Sequence, residues 1–348
     1  MSSRFLISYT NPDAGIGHSM GIINQALKIA LRNNLELAYS EEQLVKSSHH
    51  SWKWQLRQAL RMLSGHKRYE SHNIGNDLNG LLDLKNRLCS RESLETKIKH
   101  GELKLVEIPF FKIEIPSNDQ IDDEGYKEVD AFINSHTEQN LVFKIGNHEY
   151  GDSEYALTKN WLVETYEEAR SRNPIPLKYD ANRLNIALHI RRGDLLPGRQ
   201  FSDLASRMLP DSWYLEILEI IAKLTTGKMA IHIFSEGQNG QYRSETGAPF
   251  SWREHFKGSD YQITEHIDTP FVDTFHHLLH ADILLGSKSG MTHLAGMLGK
   301  QIKVLPHMWH SYRGASSIIE VTDLLNMADK ENIKNFLIKH LKSAGNKS

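Results

Sequence analysis

The chain has 348 residues, 39% hydrophobic and 24% charged, a length that suits two ordinary domains whose cores need no covalent staples. A formal net charge of −2 excludes a generally basic nucleic-acid binder, so any anion site must be local. The single cysteine, Cys89, excludes an intrachain disulfide and a multi-thiolate metal centre, and no stretch approaches the roughly 18 apolar residues of a membrane span. The apolar stretch at the N-terminus is too short for a signal-peptide core, and the expectation is a soluble, cytoplasmic protein.

In chain order, "RFLISYT" (4–10) reads as a buried strand, "NPDAGIGHSMG" as a glycine-bearing turn, and "IINQALKIALRNN" as a helix, which is how an α/β unit opens. "LELAYS" is a second strand. In "SWKWQLRQALRML" (51–63), Trp52, Leu56, Ala59, Leu60 and Leu63 share one helical face, while Lys53, Arg57 and Arg61 line another. The latter face is read as a solvated one, with peripheral membrane association left open. "LKLVEI" and "NLVFKIG" follow as strands around a short helix, and then "NWLVETYEEARSR" (160–172) as a helix.

The segment "NPIPLKYDANR" (173–183), with two prolines, marks a domain boundary. Beyond it, strands "LNIALHI", "MAIHIFS", "YQIT", "ADILLGS" and "IKVLP" alternate with helices "DSWYLEILEIIAKL", "FVDTFHHLLH" and "GMTHLAGML". Helix-separated runs of this kind predict a parallel sheet covered on both faces. The expected organisation is an N-terminal α/β domain over 1–175, a second over 183–315, and surface helices over 316–348 that pack back on the first domain. Two such sheets imply a cleft, with ligands at the carboxyl ends of strands.

Those strand ends carry the chemistry. His189 closes one strand and Arg191, Arg192, Gly193 and Asp194 follow it. Guanidinium groups match phosphate oxygens in pairs and stay charged on burial, and a glycine turn brings N–H groups to the same anion. The competing structural reading is that Asp194 and another carboxylate hold both arginines. "IHIFSEG" ends on Ser235, Glu236 and Gly237. "ADILLGSKSG" ends on Ser287, Lys288, Ser289 and Gly290 just before a helix, an anion cradle or a plain helix cap. Two cradles and twin arginines in one sheet favour a diphosphate.

"HIRRGD", "IFSEG" and "HADILLGSKSGMTHLAGMLG" together resemble the donor-binding half of the GDP-fucose-dependent fucosyltransferases: the α-1,2 and α-1,6 enzymes and their protein O-fucosylating relatives. The resemblance spans about residues 184–306 and implies a GT-B-like fold of two Rossmann-like domains with parallel sheets facing a cleft. The N-terminal half shares only "GIGHSMGIINQALKIA" with that family, the glycine loop of Gly15 and Gly17 and the helix after it. By this resemblance Arg191 or Arg192 grips the β-phosphate, and His189 holds the nucleotide or the motif's own turn. Ser287, Ser289 and Gly290 line the diphosphate and nucleoside, and Asp273 stands near the position that reads guanine. Glu236 departs from the family's usual aspartate, and the loop "QNGQYRSETGAPFSW" is unfamiliar.

The reaction this implies is inverting transfer of fucose to a glycan or glycolipid acceptor, with arginine rather than a metal stabilising the leaving diphosphate, since no D-x-D motif is suitably placed. No metal ligand and no cofactor beyond the donor substrate are expected. Candidates for the base are His18, Asp13 and Asp194; an imidazole suits general-base work by residue type, but His18 is as readily a turn or phosphate ligand. A different nucleotide sugar, and a noncatalytic sugar-nucleotide or glycan binder, stay open. A dinucleotide-dependent oxidoreductase fits less well, because "GIGHSMG" puts Gly21 one residue late for G-x-G-x-x-G.

Overall fold

The computed structural model describes residues 4–9, 15–39, 74–111, 124–146, 154–198, 202–225, 228–238, 240–307, 312 and 315–345. The helix expected over 51–63 and Asp13 lie outside them. The chain divides between Pro174 and Ile175 into two compact units, within the proline-marked segment.

The first unit holds a five-stranded parallel sheet of order β3-β2-β1-β5-β4: β1 (Phe5–Ile7), β2 (Glu36–Tyr39), β3 (Cys89–Ser90), β4 (Lys104–Ile108) and β5 (Leu141–Ile145). Helix α1 (Ile16–Arg32) crosses from β1 to β2, with its residues buried from Ser19 to Ala30. Polar side chains anchor it sideways, Lys28 to Glu154 at 2.7 Å and Arg32 to Asp130 at 2.5 Å. Among the described residues five more helices belong to the unit: α2 (Ile74–Leu82), α3 (Leu84–Arg87), α4 (Arg91–Lys99), α5 (Lys127–Ser135) and α6 (Lys159–Arg172). Ser90 starts α4 by accepting the Ser93 N–H, a cap that the sequence reading passed over.

The second unit holds a six-stranded parallel sheet of order β11-β10-β9-β6-β7-β8. Its strands are β6 (Leu184–Ile190), β7 (Met229–Ser235), β8 (Gln262–Ile267), β9 (Ile283–Leu285), β10 (Ile302–Pro306) and β11 (Ile318–Val321). The helices are α7 (Asp211–Leu224), the single-turn α8 (Trp252–His255), α9 (Phe271–His280), α10 (Gly290–Leu298) and α11 (Met327–Gly345). β6 and β7 are buried along nearly their whole length, as unbroken apolar runs must be when helices cover both faces. Counted within the unit, the order is 3-2-1-4-5-6, that of a doubly wound nucleotide-binding sheet. The fold class is therefore α/β with two separate parallel sheets, as predicted.

The C-terminal segment corrects the expectation. Residues Ile318–Val321 are a strand, pairing in parallel with β10, and only Met327 onward is helical. Ile333 and Leu337 of α11 are fully buried in the second unit's core, and Lys330 pairs with Glu216 of α7 at 2.9 Å. The apolar stripe of α11 thus packs within its own unit, because β11 returns the chain beside β10 before the helix begins.

Candidate functional site

In the second unit the chain runs from β6 outward to β8 on one side, then returns to β9 and runs outward to β11 on the other. The strand order therefore reverses between β6 and β9, and such a switch point leaves a crevice outside the carboxyl ends of the two strands. The loop after β6 carries Arg191, and the loop after β9 carries Ser287, Lys288, Ser289 and Gly290. The two loops meet: a terminal nitrogen of Arg191 donates to the Lys288 carbonyl at 3.3 Å. This places a half-buried guanidinium beside the N-terminus of α10, where helix N–H groups and the helix dipole add to its positive field.

Arg192 departs from the expected role. Its side chain is 0% exposed and one terminal nitrogen lies 2.6 Å from Asp211 Oδ1 and 3.6 Å from Glu245. Tyr242 donates its hydroxyl to the same Asp211 oxygen at 2.5 Å, and Arg192 stands 5.9 Å from the Tyr242 ring. The structural reading of the arginines therefore holds for Arg192, although its carboxylate is Asp211 rather than Asp194. Asp194 sits in the short 3-10 turn Gly193–Leu195, and its side chain lies outside the described residues. Nothing in the spacing marked Asp211 or Tyr242, which lie 19 and 50 residues further along the chain.

His189 is also internal. Its Nδ1 lies 2.5 Å from Thr292 Oγ1 and 3.2 Å from Ser287 Oγ. Burial and then the Arg191 charge push its pKa down to about 3, so the ring is neutral near pH 7. It holds the motif's own turn, tying β6 to the first turn of α10, and does not supply charge to an anion. Thr292 completes this knot by accepting the Ser287 N–H at 3.2 Å. A Cβ at Gly286 would stand 2.3 Å from Thr292 Cγ2 and 2.5 Å from Leu305 Cδ2, so glycine lets the loop lie against the helix.

Ser289 caps α10, its hydroxyl accepting the Met291 N–H at 3.2 Å, and Gly290 opens the helix. Lys288 is ion-paired with Asp323. Gly193 adopts φ +31°, and a Cβ there would lie 1.5 Å from Glu236 Oε2, so the turn needs glycine for both conformation and space. Glu236 itself is exposed at the tip of β7. The Ser235 hydroxyl is turned inward to the Glu236 carbonyl at 3.1 Å. Asp268, which sequence reasoning missed, accepts the Gly237 N–H at 2.9 Å and shapes the end of β7. Asp273 is half-buried in the first turn of α9, a strand-end position, and its carbonyl accepts from His277 at 2.7 Å. Asp282 accepts the Asn185 N–H at 2.7 Å and is structural.

Gly15, Gly17 and His18 belong to the first unit. Gly15 precedes α1 with φ −73°, and Gly17 and half-buried His18 lie in its first turn, after the carboxyl end of β1. Among the described residues no group of three or more His, Cys, Asp or Glu could hold a metal ion, and no helix is long and apolar enough to cross a membrane.

No protein-family model and no curated protein sequence matches the chain. Among solved structures it is similar to a variant of Arabidopsis thaliana FUT1 in complex with GDP, at 11% identity and a TM-score of 0.40, over 87% of this chain and 70% of that one. It is also similar to the E. coli ADP-heptose lps heptosyltransferase II, at 10% identity and a TM-score of 0.41, over 98% of both chains. A third likeness is to POFUT1 in complex with GDP, at 11% identity and a TM-score of 0.39, over 87% of this chain and 98% of that one. At these scores the functional reading rests on the residues themselves.

Proposed function

We propose that the chain is a glycosyltransferase whose second unit binds the diphosphate of a nucleotide sugar, most specifically GDP-fucose, for transfer to a glycan or glycolipid acceptor. The observation that carries this reading is Arg191, a guanidinium at the switch point of a doubly wound sheet and beside the N-terminus of α10. The GDP-fucose assignment rests on the resemblance of the "HIRRGD" and "SKSGMTHLAG" segments to that family, with Asp273 as the candidate reader of the base.

In an inverting transfer the acceptor oxygen attacks the anomeric carbon and loses its proton to a base, for which His18 is the candidate. The bond from the anomeric carbon to the β-phosphate breaks, and its electron pair leaves with the phosphate. Negative charge therefore grows on the diphosphate as the reaction proceeds. A cation already aimed at it lowers the transition state more than the ground state. In this reading Arg191 supplies that cation, and Arg192, paired with Asp211, does not.

The test is a thermal-shift and calorimetric panel of GDP, UDP, ADP and their sugars, with and without EDTA. A ligand that binds only the folded state raises Tm by mass action. The expected result is preferential stabilisation by GDP that survives EDTA, lost in Arg191→Ala. Equal indifference to all three nucleotides would remove the proposal. A preference for UDP or ADP would keep the glycosyltransferase and replace the donor.

A further inference from the structure

Residues 240–251, within the loop that matched no family pattern, are packed rather than loose. Tyr242 and the adjoining Trp252 are buried in the second unit's core, and Phe250 packs edge-on against both rings at 6.2 and 5.3 Å. This segment reaches Asp211 twice. The Tyr242 hydroxyl donates to Asp211 Oδ1, and Glu245 accepts the Asp211 N–H at 3.2 Å. Asp211 in turn fixes Arg192, whose other terminal nitrogen donates at 3.1 Å to the carbonyl of Arg191. An unbroken chain of polar contacts thus runs from the loop to the backbone of the guanidinium at the switch point.

This is a poor way to stabilise a fold. A buried ion pair roughly breaks even against apolar packing, and here Arg192 Nε is buried with no hydrogen-bond partner. What the arrangement does supply is a fixed donor to the 191–192 peptide, and a partner inside the fold for one of the two adjacent cations. We infer that Tyr242 and Glu245 are positioning residues: through Asp211 and Arg192 they hold Arg191 in place and set the strength of the diphosphate site. The inference rests on the functional reading above, since it needs an anion at Arg191.

The experiment is calorimetric titration of inorganic pyrophosphate into the full-length protein, comparing wild type, Tyr242→Phe, Glu245→Gln, Arg191→Lys and the Tyr242→Phe/Arg191→Lys double variant. Tyr242→Phe keeps the ring and removes one hydrogen bond, so it should weaken pyrophosphate by about tenfold or less, the scale of one net hydrogen bond. Its Tm should move little, and Glu245→Gln should act in the same direction. In the Arg191→Lys background the Tyr242→Phe substitution should cost nothing further, because the group it positions is gone.

A pH comparison adds a second readout. Asp211 is faced by Arg192, Tyr242, Tyr214 and Glu245; burial raises its pKa, and Arg192 and the Tyr242 hydroxyl oppose that rise. Without the hydroxyl, Asp211 takes a proton more readily and lets Arg192 go. The Tyr242→Phe loss should therefore deepen as the pH falls. Equal affinity in wild type and Tyr242→Phe, or a loss that is additive with Arg191→Lys and follows Tm, overturns the positioning role while leaving the donor reading intact. No pyrophosphate binding by the wild type overturns both.

Discussion

Arg191 and Arg192 are neighbours in sequence with opposite fates, and their variants should separate cleanly. Arg191→Ala should cost on the order of a hundredfold in turnover, the scale for one preorganised charge-stabilising group, with little change in Tm. Arg191→Lys keeps the charge without the planar fork and should recover part of that loss. Arg192→Ala leaves Asp211 buried without its cation and should destabilise the fold by about 3 kcal/mol or more. Tm and GDP affinity on the same three proteins check this; a pair of alanine variants with matching profiles would contradict it. Gly193→Ala should weaken binding as well, because its Cβ would displace Glu236 and strain a turn at φ +31°. Arginine's chemistry is legible in a motif. Which of two adjacent guanidiniums is buried in an ion pair is not, because that depends on a carboxylate brought in by another helix.

At the scale of elements, the second unit buries a group of neutral histidines drawn from β7, β8 and α9. His232 Nδ1 lies 3.1 Å from His266 Nε2, and His266 stacks on Phe234 at 4.3 Å. His277 of α9 accepts the Lys178 N–H at 3.1 Å through Nε2 and donates from Nδ1 to Asp273, so the neutral ring uses both nitrogens. Burial pushes His266 down to about 3 and His232 down to about 4, and it also lowers His277. These groups, with His189, take protons in the unfolded chain near pH 6.5 but not in the folded one. Their effect on stability is therefore absent above that pH and becomes a loss as pH falls from about 6.5 toward 4. Each contributes up to about 1.4 kcal/mol per pH unit, opposed by the raised carboxyl of Asp211. Urea unfolding at several pH values should show this decline. A flat profile between pH 7 and pH 5 would mean that the rings are accessible, at odds with their burial.

On the scale of the whole molecule, each unit carries its own sheet, and the last helix belongs to the second. Ile333→Ala and Leu337→Ala should each destabilise by about 2–5 kcal/mol, as truncations of fully buried aliphatic side chains do. Exposed Met327→Ala, at 81% exposure, should change stability by less than about 0.5 kcal/mol. Urea denaturation of these variants checks this, and the fluorescence of Trp213, which lies in this core and donates to the Thr322 carbonyl at 2.9 Å, contributes to the signal. Loss of stability for Met327→Ala but not for the buried pair would place α11 elsewhere.

The sequence by itself determined the α/β class, most strands of both sheets and the places where those strands end. Those features are written in local periodicity: apolar runs of strand length, helical spacing between them, and prolines or glycines at the breaks. It also marked Arg191, Ser289 and Gly290 as strand-end candidates. It misread 318–321, because a four-residue edge strand beside a polar helix has no period long enough to announce itself. Only the tertiary structure could decide that β6 and β9 lie side by side, since their pairing joins residues nearly a hundred positions apart. It alone made His189 a tie within the motif's own turn, one of the two roles the sequence left open, and Arg192 an internal cation held by Asp211, which Tyr242 also bonds. Residue type fixes what a side chain can bond to, but burial and the partners supplied by distant segments fix what it does bond to.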